Sequence, residues 1–208
     1  MSAAGSSVEG ADPSHLYEKR LDSQELFKGH FLHAFRDGVQ LPNGVSACRE
    51  YVVHPGAVMV IPLHQAEDGR LELVLERQFR YPMGRVMIEF PAGKLDVGET
   101  CFDCAVRELR EETGYRAGQW AHAGVMHPVI AYSTEFIDIW FARQLTQGSR
   151  HLDEGEFLEV FTLPPEQFFN WCRDGQITDG KTLTAALWLQ NTLSGAWPLA
   201  WQDVAQEP

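Results

Sequence analysis

Apolar and polar positions along the chain fall into short runs separated by turn signals. Residues 30–36 and 46–53 read as strands, set off by Asp37-Gly38 and Pro42-Asn43-Gly44. The continuous run Ala57-Val58-Met59-Val60-Ile61, within 57–63, has the length of a buried strand. After the turn Glu67-Asp68-Gly69, residues 71–79 set Leu71, Leu73 and Leu75 in alternation with Glu72, Val74 and Glu76, the period of a strand. Residues 86–89 form a further short strand before Pro91. Residues 100–113 then predict a helix, capped by Thr100 with Asp103 three positions on and closed by Gly114. Its apolar stripe is Cys101, Ala105 and Leu109, with Phe102 and Val106 beside it. Strands follow at 124–129, 136–142 and 157–163. Pro164-Pro165 opens a helix through Trp171, and 182–193 is the last helix. Strands interrupted by helices in one chain imply a mixed α/β sandwich.

Charge narrows the class of partner. Lys and Arg number 17 against 29 Asp and Glu, a net charge of -12 among 208 residues. Such a surface repels nucleic acid and anionic membranes, yet admits a phosphorylated ligand if divalent cations stand between them. No apolar run approaches the ~20 residues of a membrane span. The N-terminal residues 1–13 lack the basic and apolar parts of a signal peptide, so we expect a disordered leader and a cytoplasmic protein. Cys101 and Cys104 make a lone C-x-x-C on the helix, expected to be buried or partly buried thiols rather than a zinc or redox site.

The chemistry concentrates in Gly93-Lys94-Leu95-Asp96-Val97-Gly98-Glu99 and in Arg107-Glu108-Leu109-Arg110-Glu111-Glu112-Thr113-Gly114. Glu108, Glu111 and Glu112 stand at i, i+3 and i+4, so their carboxylates converge on one helix face and repel unless something positive lies between them. Hard oxygen ligands in an open cluster suit Mg²⁺ or Mn²⁺, with water and substrate phosphate filling the remaining positions. Arg107 can orient one carboxylate through a bidentate pair.

Read as one string, Gly93, five residues, Glu99, seven residues, and Arg107-Glu108-Leu109-x-Glu111-Glu112-x-Gly114 resembles the Nudix box, with Tyr115 where an aliphatic residue is usual. The resemblance implies a mixed α/β (α+β) Nudix fold, a mixed β-sheet sandwiched by helices with the box as loop–helix–loop. It implies that Glu108 and Glu112 are metal ligands, that Glu111 is a ligand or stands behind them, and that the Ala92 carbonyl completes the site, with Glu99 and Arg107 in support.

The strings Glu76-Arg77-Gln78-Phe79-Arg80-Tyr81-Pro82 and Glu89-Phe90-Pro91-Ala92-Gly93 resemble the ADP-ribose pyrophosphatase and nucleotide-sugar branch of that family. Leu41-Pro42-Asn43-Gly44, His54-Pro55-Gly56-Ala57 and Asp153-Glu154-Gly155-Glu156-Phe157 add to it. The branch implies a small N-terminal β lobe at 14–54 with dimer contacts, a Nudix domain at 55–200, a tail at 201–208 and a homodimer. It also implies Mg²⁺-dependent hydrolysis of a nucleoside diphosphate sugar, with ADP-ribose cleaved to AMP and ribose 5-phosphate as the leading reaction and two or three ions per site. Glu154 is then the general base and Glu156 a ligand, with the two roles interchangeable; Glu111 and Arg107 complete the catalytic set. Arg80 is a diphosphate clamp with Arg77 the weaker candidate, and Glu135 matches a ribose contact across the dimer. His64, His122 and His127 are expected to be structural or surface residues. The branch's Pro-Gly pair downstream of the box is replaced by Ile130-Ala131, which keeps GDP-mannose and NADH as competing substrates.

Overall fold

The computed structural model describes residues 12–152 and 155–204. The expected leader at 1–13 lies almost wholly outside the described residues, as do Glu154 and positions 205–208. The chain forms two compact units, divided between His54 and Pro55, with Ala131–Thr134 returning to the first.

The first unit is an antiparallel sheet of β1 (Lys19–Lys28), β2 (His33–Gln40) and β3 (Ser46–Val53), in that order. β1 is fully exposed along its length, so no apolar alternation announces it. β2 runs through Asp37-Gly38, where a turn is expected from sequence. The Gly38 N–H donates to the Asp22 carboxylate at 3.1 Å, and the Tyr51 hydroxyl donates to Asp37 at 3.1 Å. A Cβ on Gly38 would come within 2.8 Å of that Asp22 carboxylate, so this glycine serves a close approach inside a strand. The segment Ala131–Thr134 is tied to β3: the Val52 N–H donates to the Tyr132 carbonyl at 2.9 Å and the Thr134 N–H to the Val52 carbonyl at 3.0 Å.

The second unit contains β4 (Ala57–Gln65), β5 (Leu71–Arg80), β6 (Arg85–Glu89), β7 (Ala92–Lys94), α1 (Cys101–Glu108), β8 (Tyr115–Met126), β9 (Ile137–Gln147), β10 (Leu158–Leu163), α2 (Pro165–Arg173), α3 (Gly180–Leu193) and β11 (Gln202–Asp203). Its strands run β10-β5-β4-β9-β8-β11, with β6 on β5 and β7 on β4. β4 changes partners along its length: residues 57–59 pair with β7, 57–62 run parallel to β9, and 63–65 pair with β5. Its apolar run is buried on both faces. Met59 and Ile61 pack in a cluster with Leu75, Phe141, Phe168 of α2 and Leu189 of α3. Val58 and Val60 pack in another with Trp120 and with Cys104, Ala105 and Leu109 of the box helix. Helices therefore cover both sides of a mixed sheet, and each fully buried Leu, Ile, Val or Phe contributes ~1.5–3 kcal/mol.

The box helix spans the expected residues but changes winding. Thr100 Oγ1 accepts from the Asp103 N–H at 3.1 Å, α1 runs to Glu108, and Leu109–Thr113 continue as a π-turn ending at Gly114 with φ of 77°. β8 begins at Tyr115, nine residues before the expected start at 124. Trp120 and Ala121 are consecutive and both buried, and the register shifts between His122 and Gly124, so the alternation is blurred. The expected tail starts as β11, with Gln202 opposite Trp120. Among the described residues, no helix is long and apolar enough to cross a membrane.

Candidate active site

β7 and the box helix build one wall. Glu108 ends α1 directly over Gly93, where a Cβ would stand 1.8 Å from Glu108 Oε1. The Ala92 N–H donates to Glu112 Oε2 at 3.0 Å. Both glutamates are buried, Glu108 at 9% and Glu112 at 3% exposure. At the end of the π-turn the Glu111 carbonyl accepts the His151 N–H at 3.1 Å, and the Gly114 carbonyl accepts the Gly148 N–H at 2.8 Å. Gly148 and His151 are thereby tied to the end of the box.

Arg107 organises the acidic side chains around it. Its Nε and Nη2 donate to the two Glu99 oxygens at 2.8 and 2.9 Å, while Nη1 reaches Glu108 at 2.7 Å and Glu111 at 3.1 Å. Nη2 also donates to the Lys94 carbonyl at 3.1 Å. The expected bidentate pair exists, and its partner is Glu99. These hydrogen bonds hold the Glu99 carboxyl down at about 2. Glu108 goes the other way: burial pushes it up to about 7, despite Arg107, with Glu111 and Glu156 adding to the rise. Burial, then the charges of Glu76 and Glu108, raise Glu112 well above the usual carboxylate range against the Ala92 N–H.

β5 and β6 build the facing group. Alternation puts Glu76, Gln78 and Arg80 on one face of β5, with Arg77 on the other. Arg80 Nε and Nη2 grip Glu89 at 2.7 and 2.8 Å. Glu89, only 2% exposed, is also bonded by Lys181 of α3, which meets Asp179 at 3.1 Å. Burial raises the Glu89 carboxyl, but the hydrogen bonds and charges of Arg80 and Lys181 outweigh it and leave it below its ordinary value. Glu156 lies within reach of the charges of Glu76, Glu108 and Glu112.

The structure thus gathers Ala92, Arg107, Glu108, Glu111, Glu112 and Glu156, with Arg80 entering through its own influence from Glu112. Arg77 is not among them: it pairs with Glu159 at 3.2 Å and lies over the Phe161 ring at 4.0 Å. Glu135 is partly buried just before Phe136, whose carbonyl accepts the Ala57 N–H at 2.9 Å. Sequence reasoning passed over Glu76, Glu89 and Lys181 as site residues. Glu76 sits on the face of β5 that the alternation marks as polar, yet Val74 and Glu76 are both fully buried. His122 meets Asp138 at 3.2 Å on β9. The four cysteines are free; Cys104 is buried and Cys101 partly so, in keeping with packing roles.

As the side chains stand, no three His, Cys, Asp or Glu among the described residues converge closely enough to hold an ion. The donor chemistry nevertheless fits a hard divalent cation. Glu108, Glu112 and Glu76 are buried like charges, and both Glu76 oxygens lack a hydrogen-bond partner among the described residues. A divalent cation relieves such repulsion using oxygen ligands alone.

A glutamate-bearing loop–helix laid against a mixed sheet, with helices on both faces, defines a Nudix domain, and a NUDIX domain model matches residues 53–185. The chain belongs to the Nudix family. It is 35% identical over 177 residues to the ADP-ribose pyrophosphatase of Bacillus subtilis (strain 168), covering 84% of this chain and 94% of that one. It is 34% identical over 177 residues to the methanol dehydrogenase activator of Bacillus methanolicus, covering 83% and 92%. A crystal structure of an ADP compounds hydrolase shares the fold, with a TM-score of 0.76 at 22% identity over 86% of this chain and 95% of that one.

Proposed function

We propose that this chain is a divalent-cation-dependent pyrophosphatase that cleaves ADP-ribose with water to AMP and ribose 5-phosphate. One observation carries the chemistry: Glu108 and Glu112, buried over Gly93 and the Ala92 N–H, concentrate negative charge that cations and a diphosphate satisfy together. The relative named ADP-ribose pyrophosphatase, matched over nearly its whole length, supports the substrate.

In this reading Glu108, Glu112, Glu156 and the Ala92 carbonyl hold two or three Mg²⁺ or Mn²⁺ ions, with Glu111 as a ligand or behind them. When bound, the cations supply charge neutralisation of the phosphate oxygens and polarise the scissile P–O bond. The water oxygen bonds to one phosphorus as the bridging P–O bond breaks. Its proton passes to Glu154, with Glu156 the alternative base. Arg107 fixes Glu99, Glu108 and Glu111 in place. Arg80 meets the diphosphate while braced by Glu89. Arg77 is occupied by strand packing and has the lesser part. Glu135 contacts the ribose in a homodimer, for which the exposed Leu21, Leu26, Phe27 and Leu32 of the first unit are suitable apolar surface. The charge of -12 suits a small anionic substrate met together with cations, in the cytoplasm, over nucleic acid or a membrane surface.

The test is product release from ADP-ribose, GDP-mannose and NADH in parallel, with Mg²⁺ and with chelator. Fastest Mg²⁺-dependent conversion of ADP-ribose to AMP is expected. Preference for GDP-mannose or NADH would keep the chemistry and reassign the substrate to the Ile130-Ala131 departure. No turnover of any of the three would overturn the proposal.

A further inference from the structure

Two glutamates face each other across β5 and β6, Glu76 opposite Glu89, and the fold treats them differently. Both are buried, at 0% and 2% exposure. Glu89 holds Arg80 through two hydrogen bonds and Lys181 through a third. Neither Glu76 oxygen has a hydrogen-bond partner among the described residues, and neither does the buried Oε1 of Gln78, two positions along the same face. A buried carboxylate without a counter-charge costs several kcal/mol. The backbone of Glu76 is fixed in the sheet, paired with Val160 of β10 on one side and Glu89 of β6 on the other. The charges felt at Glu76 are those of Glu89, Lys181, Arg80 and Glu156, and Glu76 in turn is the largest charge influence on Glu112. Glu76 therefore lies between the Glu89 cluster and the box glutamates, with neither of its oxygens hydrogen-bonded to Arg80 or Lys181.

We propose that Glu76 is a carboxylate of the divalent-cation site, contributed by the sheet alongside Glu112 of the box. This rests on the cation-site reading above. Burial and the charge of Glu89 hold the Glu76 carboxyl up at about 8, against the charges of Lys181 and Arg80, which do not offset them.

The test is Mn²⁺ binding to the full chain by titration calorimetry, with thermal unfolding in chelator alongside. Glu76→Gln keeps the shape and removes the charge. It should weaken Mn²⁺ binding about 10- to 100-fold, while the chelated protein melts at the same or a higher temperature because a buried repulsion is gone. Mn²⁺ affinity unchanged in Glu76→Gln would overturn the proposal. If Glu76→Gln does not fold, Glu76→Asp carries the test, since it keeps the charge but retracts it: weaker binding is expected and unchanged binding is contrary. Wild-type chain and Glu112→Gln serve as references. Wild type that binds no Mn²⁺ would overturn the cation site itself, whereas tight wild-type binding lost in Glu112→Gln but retained in Glu76→Gln would overturn only the role of Glu76.

Discussion

Gly93 shows how one absent methyl group positions a carboxylate. The Glu108 headgroup fills the volume a side chain there would need, its Cδ 2.0 Å from the site of a Cβ. In Gly93→Ala the strand can remain, because the obstacle is the end of a flexible side chain, but Glu108 must turn away. A displacement of about 1 Å in a catalytic array costs ~10²-fold in rate, so kcat should fall by about that factor with little change in melting temperature. Wild-type kcat in the variant would remove Glu108 from the site. Glu99 makes the complementary case. Its carboxyl is held at about 2, first by the hydrogen bonds from Arg107, well below the ordinary 4.5. A depressed carboxyl contributes stability that is complete above the unfolded value and disappears as pH falls through the folded one. Glu99→Gln should therefore lose stability relative to wild type at neutral pH and converge with it between about pH 4.5 and 2. Acid titrations followed by circular dichroism would show the convergence; parallel curves throughout would deny the pairing its role.

At the scale of elements, the box helix matters because it starts and stops where the glutamates need it. Thr100 accepts the Asp103 N–H and donates its hydroxyl to the Asp103 carboxylate at 2.7 Å, closing the first turn from both sides. Thr100→Ala should destabilise the fold by about 1 kcal/mol, measurable by urea unfolding, while residual activity per folded molecule stays near wild type. This start was legible in the sequence, as was the stop at Gly114, because caps are local chemistry. The buried run at β4 and the strand β5 were legible for the same reason: periodicity records which sides meet a core. What lay hidden has physical causes. β1 buries nothing and so carries no pattern. The π-turn has no composition of its own; Leu109–Thr113 reads as ordinary helix until its hydrogen bonds are seen. Glu76 misled because a polar residue in an alternating strand normally faces water, and only the assembled sheet reveals that both faces of β5 are covered there. Lys181 and Glu89 are 92 residues apart, a pairing that no local pattern can disclose.

For the whole molecule, charge couples stability to cation. The chain carries -12 overall, and three of its buried acidic groups, Glu76, Glu108 and Glu112, lie together within the second unit. Neutral pH therefore asks the cation-free protein to keep several carboxylates either protonated or repelling one another, against a total stability of only ~5–15 kcal/mol. A cation that binds the folded chain alone relieves that repulsion and adds stability through mass action, ~2.7 kcal/mol at a concentration 100 times Kd. Melting temperature should accordingly climb with added Mg²⁺ in place of levelling off at micromolar protein equivalence, and excess chelator should return it to its starting value. NaCl at matched ionic strength separates this effect from screening, since general screening acts on all surface charge alike and is nearly complete by physiological ionic strength. Equal shifts from NaCl and Mg²⁺ would mean that the acidic interior has no particular claim on a divalent ion. A larger shift from Mg²⁺, diminished in Glu112→Gln, would locate the coupling at the box, where one constellation of carboxylates limits the stability of the empty fold and provides the chemistry of the loaded one.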